Sequence, residues 1–249
     1  MAAQVHLDKA PITEALIDLR VQLRDNYPVE NLKELHESLR DQYPTVGEAR
    51  RFQTSIEVKE GKDVDHRTVS QMVGYRFDSS DKLYVLQAHT DGFTVSRLKP
   101  YSTWEDLFGE TKKLWAIFKR IAVPITISRV ATRFINRIEL SLDQRIDFDD
   151  YLAVPPRVPA GLPEAVSSFI NRVAVEDPTT SASVVVTQAL ENPNPATNTI
   201  PVLLDIDVFK QVSMDPSGED HWHLLGQLRQ LKNQAFFGSI TDKTLELLK

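Results

Sequence analysis

The sequence predicts an α+β fold of duplicated β-α-β(3-4)-α units, with antiparallel sheet or sheets and two long helices packed on one face. Three observations carry this prediction. Many segments alternate apolar and polar residues with the period of a strand. Two long stretches, 102–123 and 220–237, place apolar side chains at helical spacing. The order of elements before Pro124 returns in outline after it.

The elements follow in chain order. Pro11 to Leu23 alternates Ile17, Leu19, Val21 and Leu23 with Asp18, Arg20 and Gln22, so it reads as a strand with one buried face. Asn31 to Gln42 carries Leu32, Leu35 and Leu39 at helical spacing, and Tyr43-Pro44 ends that helix. Arg51 to Lys59, with Phe52, Ile56 and Val58, and Thr68 to Phe77, with Val73, Tyr75 and Phe77, read as strands. Leu83 to His89 and Phe93 to Leu98 flank Thr90-Asp91-Gly92. An Asp-Gly pair there predicts a hairpin whose glycine takes the positive φ of a tight turn.

A long helix follows, capped by Ser102 or Thr103 with Glu105 or Asp106 three residues on. Trp104, Leu107, Phe108, Trp115, Phe118 and Ala122 line one stripe of it, and Pro124 closes it. Val130 to Leu140 reads as a strand with Phe134, Ile138 and Leu140 on one face. Pro155, Pro156, Pro159 and Pro163 leave room only for short helical pieces between Phe148 and Phe169. Ser183 to Leu190 and Pro201 to Val212 read as strands around the loop Asn192-Pro193-Asn194-Pro195. A second long helix from Asp220 to Phe237 and a short one from Thr241 to Leu248 complete the chain. Residues 1–123 and 124–249 would then be two halves of one compact, pseudo-duplicated unit. A duplicated β-α-β-β-β-β-α order resembles the saddle of TATA-binding proteins in topology alone, which transfers no function.

Composition narrows the chemistry. The 249 residues include 41% hydrophobic and 26% charged, enough apolar material for a core. A formal net charge of −6 disfavours broad nucleic-acid binding, which needs clustered cations. With no cysteine, disulfides, thiolate catalysis and cysteine-ligated metals are excluded. Met1 to His6 lacks a basic region followed by an apolar run, and no segment is apolar enough to span a bilayer, so a cytoplasmic protein without membrane contact is expected.

Several strings together resemble a known family. They are Ala10-Pro11-Ile12-Thr13-Glu14-Ala15-Leu16-Ile17-Asp18, Gly74-Tyr75-Arg76-Phe77, Asp91-Gly92-Phe93-Thr94-Val95-Ser96-Arg97-Leu98, Pro100-Tyr101 with Trp104, and Arg133-Phe134-Ile135-Asn136-Arg137-Ile138. Leu204-Asp205-Ile206-Asp207-Val208-Phe209 and Lys232-Asn233-Gln234-Ala235-Phe236-Phe237 with Ile240-Thr241 belong to the same set. The chain is similar over nearly its whole length to the "sporadically distributed protein" family of bacteria and archaea. That resemblance brings no assigned activity. It implies an accessory gene of the toxin–antitoxin or defence kind.

Candidate chemistry centres on charged residues of predicted strands. Asp205 and Asp207, two apart on a strand, project from one face and offer oxygen ligands for Mg²⁺ or Ca²⁺. Solvation or pairing with cations is the simpler account, because Val202, Leu204, Ile206 and Val208 bury the opposite face and two ligands alone do not define a metal site. Arg133 and Arg137 lie opposite Phe134 and Ile138, and Glu14, Asp18 and Arg20 lie on the polar side of the first strand. If these three strands share a sheet face, the seven charges form either a cross-strand ion-pair network or an anion-binding surface. His221 and His223 are about 200° apart around a helix axis, which suits a metal pair poorly. His66 and His89 stand alone. No P-loop, nucleophile elbow, zincin or dinucleotide fingerprint occurs. Tyr75, Tyr101, Trp104 and Trp115 could stack on bases, but the helical spacing of the tryptophans favours core packing.

The expectation that best fits this pattern is a non-catalytic protein that recognises a protein partner through its charged sheet face or loops. A divalent-metal enzyme or binder using Asp205 and Asp207, and a nucleic-acid-binding module on the sheet, are the alternatives.

Overall fold

The computed structural model describes residues 7, 9–57, 65–163 and 165–249, and side chains outside 53–57 and 65–68. The expectations for Met1–His6, Val58 and Lys59 lie outside the described residues, as does the side chain of His66.

Among the described residues, nine strands make one antiparallel sheet. They are β1 (Ile12–Gln22), β2 (Thr45–Glu57), β3 (Asp65–Asp78), β4 (Tyr84–His89), β5 (Gly92–Leu98), β6 (Thr126–Ser141), β7 (Ile170–Glu176), β8 (Ser183–Leu190) and β9 (Thr199–Met214). Their spatial order is β2-β3-β4-β5-β1-β6-β9-β8-β7. Four α-helices accompany them among the described residues: α1 (Leu35–Leu39), α2 (Trp104–Ala122), α3 (Asp220–Ser239) and α4 (Asp242–Leu247).

This corrects the predicted architecture. The duplicated two-helix plan, with its TATA-binding-protein-like topology, gives way to a single broad sheet and four helices. The halves are not equivalent: β6 is followed only by a 3₁₀ turn at Phe148–Asp150 and irregular chain before β7, where the first half has α1. Width is the physical reason. Nine strands at a spacing of ~4.8 Å span about 38 Å, whereas two helices of ~10 Å each cover only about half of that. Outer strands therefore keep apolar side chains in solvent, Phe52 on β2 at 68% and Ile170 on β7 at 79% exposure. The Asn31–Gln42 prediction is also corrected, since the segment starts as a 3₁₀ turn at Val29–Glu34 and holds only five α-helical residues.

Over the central strands the core is dense. Ala15, Ile17 and Leu19 of β1 are fully buried, as are Phe93 and Val95 of β5 and Leu204, Ile206 and Val208 of β9. Trp115 and Phe118 of α2 close on Phe93 at centroid distances of 5.2 and 5.1 Å. Thr103 caps α2 by accepting a hydrogen bond from the Asp106 amide at 3.1 Å, and Val123 ends it in the left-handed region at φ 47°. Trp222 at the start of α3 packs edge-on against Phe108 of α2.

Two glycines matter to the sheet. Gly74 on β3 lies where a Cβ would stand 2.0 Å from the Ala88 carbonyl oxygen of β4, so only glycine permits that approach. Gly92 pairs with His89 across a two-residue Thr90-Asp91 turn, yet it does not adopt a positive φ. The reason given for it from sequence is thus corrected. Arg20 lies across Gly92, and a Cβ there would meet its guanidinium at 3.2 Å.

Candidate functional site: an ion-paired open face

Alternation sets the site. β1, β6 and β9 are neighbours at the sheet centre, and register places Leu16 opposite Arg133, and Arg133 opposite Asp207. Residues directly opposite share a face. Glu14, Asp18, Arg20, Arg129, Arg133, Arg137, Asp205 and Asp207 thus lie together on the side away from the core, while Ile17, Phe134 and Ile206 point into it.

Arg129 is the hub. Its Nη1 donates to Asp18 Oδ1 at 2.8 Å and its Nη2 to Asp207 Oδ2 at 3.2 Å, so one guanidinium ties β1 to β9. The same group stacks 4.3 Å from the ring centroid of Phe209. Asp18 is 5% exposed; its second oxygen accepts from the Thr94 hydroxyl at 2.8 Å. Arg133 grips Asp205 with two bonds, Nε to Oδ1 at 2.8 Å and Nη2 to Oδ2 at 2.5 Å. These bonds from Asp205 hold the Arg133 pKa above its ordinary value, outweighing the effect of burial. Burial raises the Asp207 carboxyl, against the pull of Arg129 and Arg133.

The other predicted residues sit at the margins. Arg137 pairs with Glu191 at 2.7 Å and with Glu139, away from the aspartates. Arg20 lies 3.4 Å from Asp18 and 3.6 Å from Asp91, whose other oxygen accepts from Arg51 at 2.9 Å. Burial raises Asp91, but the Arg51 hydrogen bond and the Arg20 and Arg51 charges outweigh it and hold the carboxyl low. Glu14 makes no hydrogen bond or ion pair among the described residues. Toward β2 and β3 the face dips into a depression of about 420 Å³ lined by Arg20, Arg50, Arg51, Arg76, Glu48 and His89, among others. Arg50 pairs with Glu48, Arg51 with Asp91 and Arg76 with Asp78, so the depression is nearly balanced in charge.

Asp205 and Asp207 do share a face, but they do not fit a metal. Both oxygens of Asp205 are taken by Arg133, and Asp207 is held by Arg129. Among the described residues no three His, Asp or Glu side chains converge to hold a cation. Trp104 and Trp115 are buried at 8% and 1% exposure in the core, not offered to bases. His221 is fully buried between Trp115 and Trp222, whereas His223 is exposed.

Sequence reading missed Arg129. The reading began the strand at Val130, whereas β6 starts four residues earlier at Thr126, so the alternation through 129, 131 and 133 was cut short. Extending the period by two residues would have put Arg129 beside Arg133.

Fold and face define an α+β protein built on one antiparallel sheet, with a helix-covered side and an open side that carries an ion-paired lattice. No protein-family model matches the chain, and no curated protein matches it. No described helix is long and apolar enough to cross a membrane.

Proposed function

We propose that the protein is a non-catalytic, cytoplasmic binding protein that recognises a protein partner through the open face of its sheet. The observation that carries the reading is the lattice itself. Arg129, Arg133, Asp18, Asp205 and Asp207 hold one another in fixed positions on three adjacent strands. Charges held in this way present a defined pattern of sign without reorganising on contact, and complementary patterns set partner choice and encounter rate. Glu14, which makes no ion pair among the described residues, and half-exposed Arg133 extend from that lattice toward solvent. The resemblance to a patchily distributed family supports an accessory role, as one member of a toxin–antitoxin or defence pair.

Affinity purification of the tagged chain from its native host tests this, with a Glu14→Lys and Arg133→Ala double variant run alongside. The expected result is a stoichiometric protein captured by the wild type and released by the double variant, whose circular dichroism is unchanged. Capture of no protein, or equal capture by both, would overturn the reading.

A further inference from the structure

β7, like β2 at the opposite margin, is an edge strand of the sheet. It pairs with β8 on one side, and its other edge has no partner strand among the described residues. All its residues except Asn171 are exposed. Such an edge presents a row of free amides and carbonyls, and proteins ordinarily blunt it. β7 contains no proline and no lysine, and its register with β8 is unbroken from Ile170 to Glu176.

Its side chains fall into two sets. Val173 and Val175 pair with Val186 and Val184, and Val184 is buried. They therefore continue the apolar, helix-side face past the end of helical cover, at 48% and 54% exposure. Arg172, Ala174 and Glu176 pair with Thr187, Val185 and Ser183 and lie on the open face. Neither Arg172 nor Glu176 has an ion pair among the described residues. These two charges are opposite in sign and sit at equal distances either side of Ala174.

That symmetry selects an occupant. Antiparallel pairing of β7 with a second β7, about a two-fold axis through Ala174, puts Arg172 of each chain opposite Glu176 of the other. The same register sets Val173 opposite Val175 twice, on the helix side. A two-fold axis normal to the sheet keeps both helix layers on one side and both open faces on the other. Charges that would otherwise discourage edge pairing thus become complementary for one partner, this chain itself. A neighbouring register, centred on Val173, would oppose Ile170 to Glu176 and lose both matches.

We infer that the protein forms a two-fold homodimer through β7, joining two nine-stranded sheets into one and making the open face continuous across both copies. The inference does not depend on the proposed partner, because it concerns the isolated chain. The contact is small beside standard protein interfaces, so association in the micromolar range is expected.

The absence of cysteine in the chain gives a direct test. Residues facing each other in an antiparallel pair have Cα atoms about 4.5–5.5 Å apart, within disulfide reach. Ala174→Cys should form a covalent dimer under mild oxidation, whereas Arg172→Cys, offset from its own copy, should not. In sedimentation velocity the wild type should move from monomer toward dimer as concentration rises through the micromolar range. Arg172→Glu should weaken that association at least several-fold, and adding Glu176→Arg should restore it. All these positions are exposed, so folding is not at stake, and circular dichroism checks it. A wild type that stays monomeric, or a dimer in which Ala174→Cys crosslinks no better than Arg172→Cys, would overturn the inference.

Discussion

The two sides of the central sheet treat charge in opposite ways. On the open side Arg129, Arg133 and Arg137 each hold at least one carboxylate. On the helix side three basic groups, Arg97, His221 and Lys232, lack such partners among the described residues. Arg97, 7% exposed, lies 4.8 Å from the Tyr84 ring centroid, with Nε and Nη1 making no hydrogen bond. His221 is fully buried with neither ring nitrogen bonded. Lys232 of α3 sits 3.9 Å from the Phe134 ring centroid and hydrogen-bonds only Asn233 among the described residues. The contrast is one of partners: a buried carboxylate on the open side faces a guanidinium, whereas these helix-side groups face aromatic rings. Asp18 is almost completely buried, and Arg129 beside it supplies compensation. Neither His221 nor Lys232 is hydrogen-bonded to a carboxylate among the described residues, and desolvation pushes both pKa values down, to about 4 and about 7.

The largest effect that can break this comparison is loss of the hub. Arg129→Ala leaves Asp18 buried without its guanidinium and brings it into uncompensated proximity with Asp207. Removing one member of a buried pair costs ~3 kcal/mol or more, because the other charge stays desolvated. Chemical denaturation at pH 7 should show a loss of that order. A loss below about 1 kcal/mol would mean that Thr94 and Arg20 satisfy Asp18 by themselves, and that the lattice has no hub.

How much of this was legible beforehand depends on period. Ile17, Leu19, Phe134, Ile138, Leu204 and Ile206 announced their strands because each is buried on one face only, which is the pattern alternation detects. The same phase put Glu14, Asp18, Arg133, Asp205 and Asp207 on the opposite face. Asp205 engaging Arg133 with both oxygens was not legible, because cross-strand register depends on the bulges near Glu14 and Arg129, which leave no mark on local spacing. β7 was missed altogether. Ile170, Val173 and Val175 do not keep a two-residue period, since Ile170 lies on the open face and the valines on the other. Sheet width was illegible too, because nothing local in Phe52 or Ile170 says that helices stop short of them.

A smaller effect sharpens the contrast through pH. His221 has an ordinary value of 6.5 and a folded value of about 4, so the unfolded chain takes up a proton between these values and the native chain does not. Stability is therefore full above about pH 6.5 and falls as pH drops toward 4, with the unfolded state binding more protons throughout. The loss attributable to this group is on the order of 1–3 kcal/mol. His221→Phe should flatten the slope of melting temperature between pH 6.5 and 4 relative to the wild type. An unchanged slope would show that His221 protonates in place, and that burial without a partner does not keep it neutral.

The smallest effect separates desolvation from ring stacking at Lys232. Its ammonium faces Phe134, so the positive charge gains attraction from the ring while losing hydration. Burial, with the nearby Arg229 charge, pushes the folded value down to about 7 from 10.5. The penalty is then absent above pH 10.5, grows as pH falls toward 7, and is constant below. Lys232→Met keeps the length of the side chain and removes the charge. It should raise stability by on the order of 1 kcal/mol at pH 6, and the gain should shrink steadily as pH rises to 10. Melting curves for both chains across that range decide it. If Met lowers stability at pH 6, the ammonium–ring contact dominates, and partnerless cations on the helix side are held by aromatic faces, as carboxylates hold those on the open side.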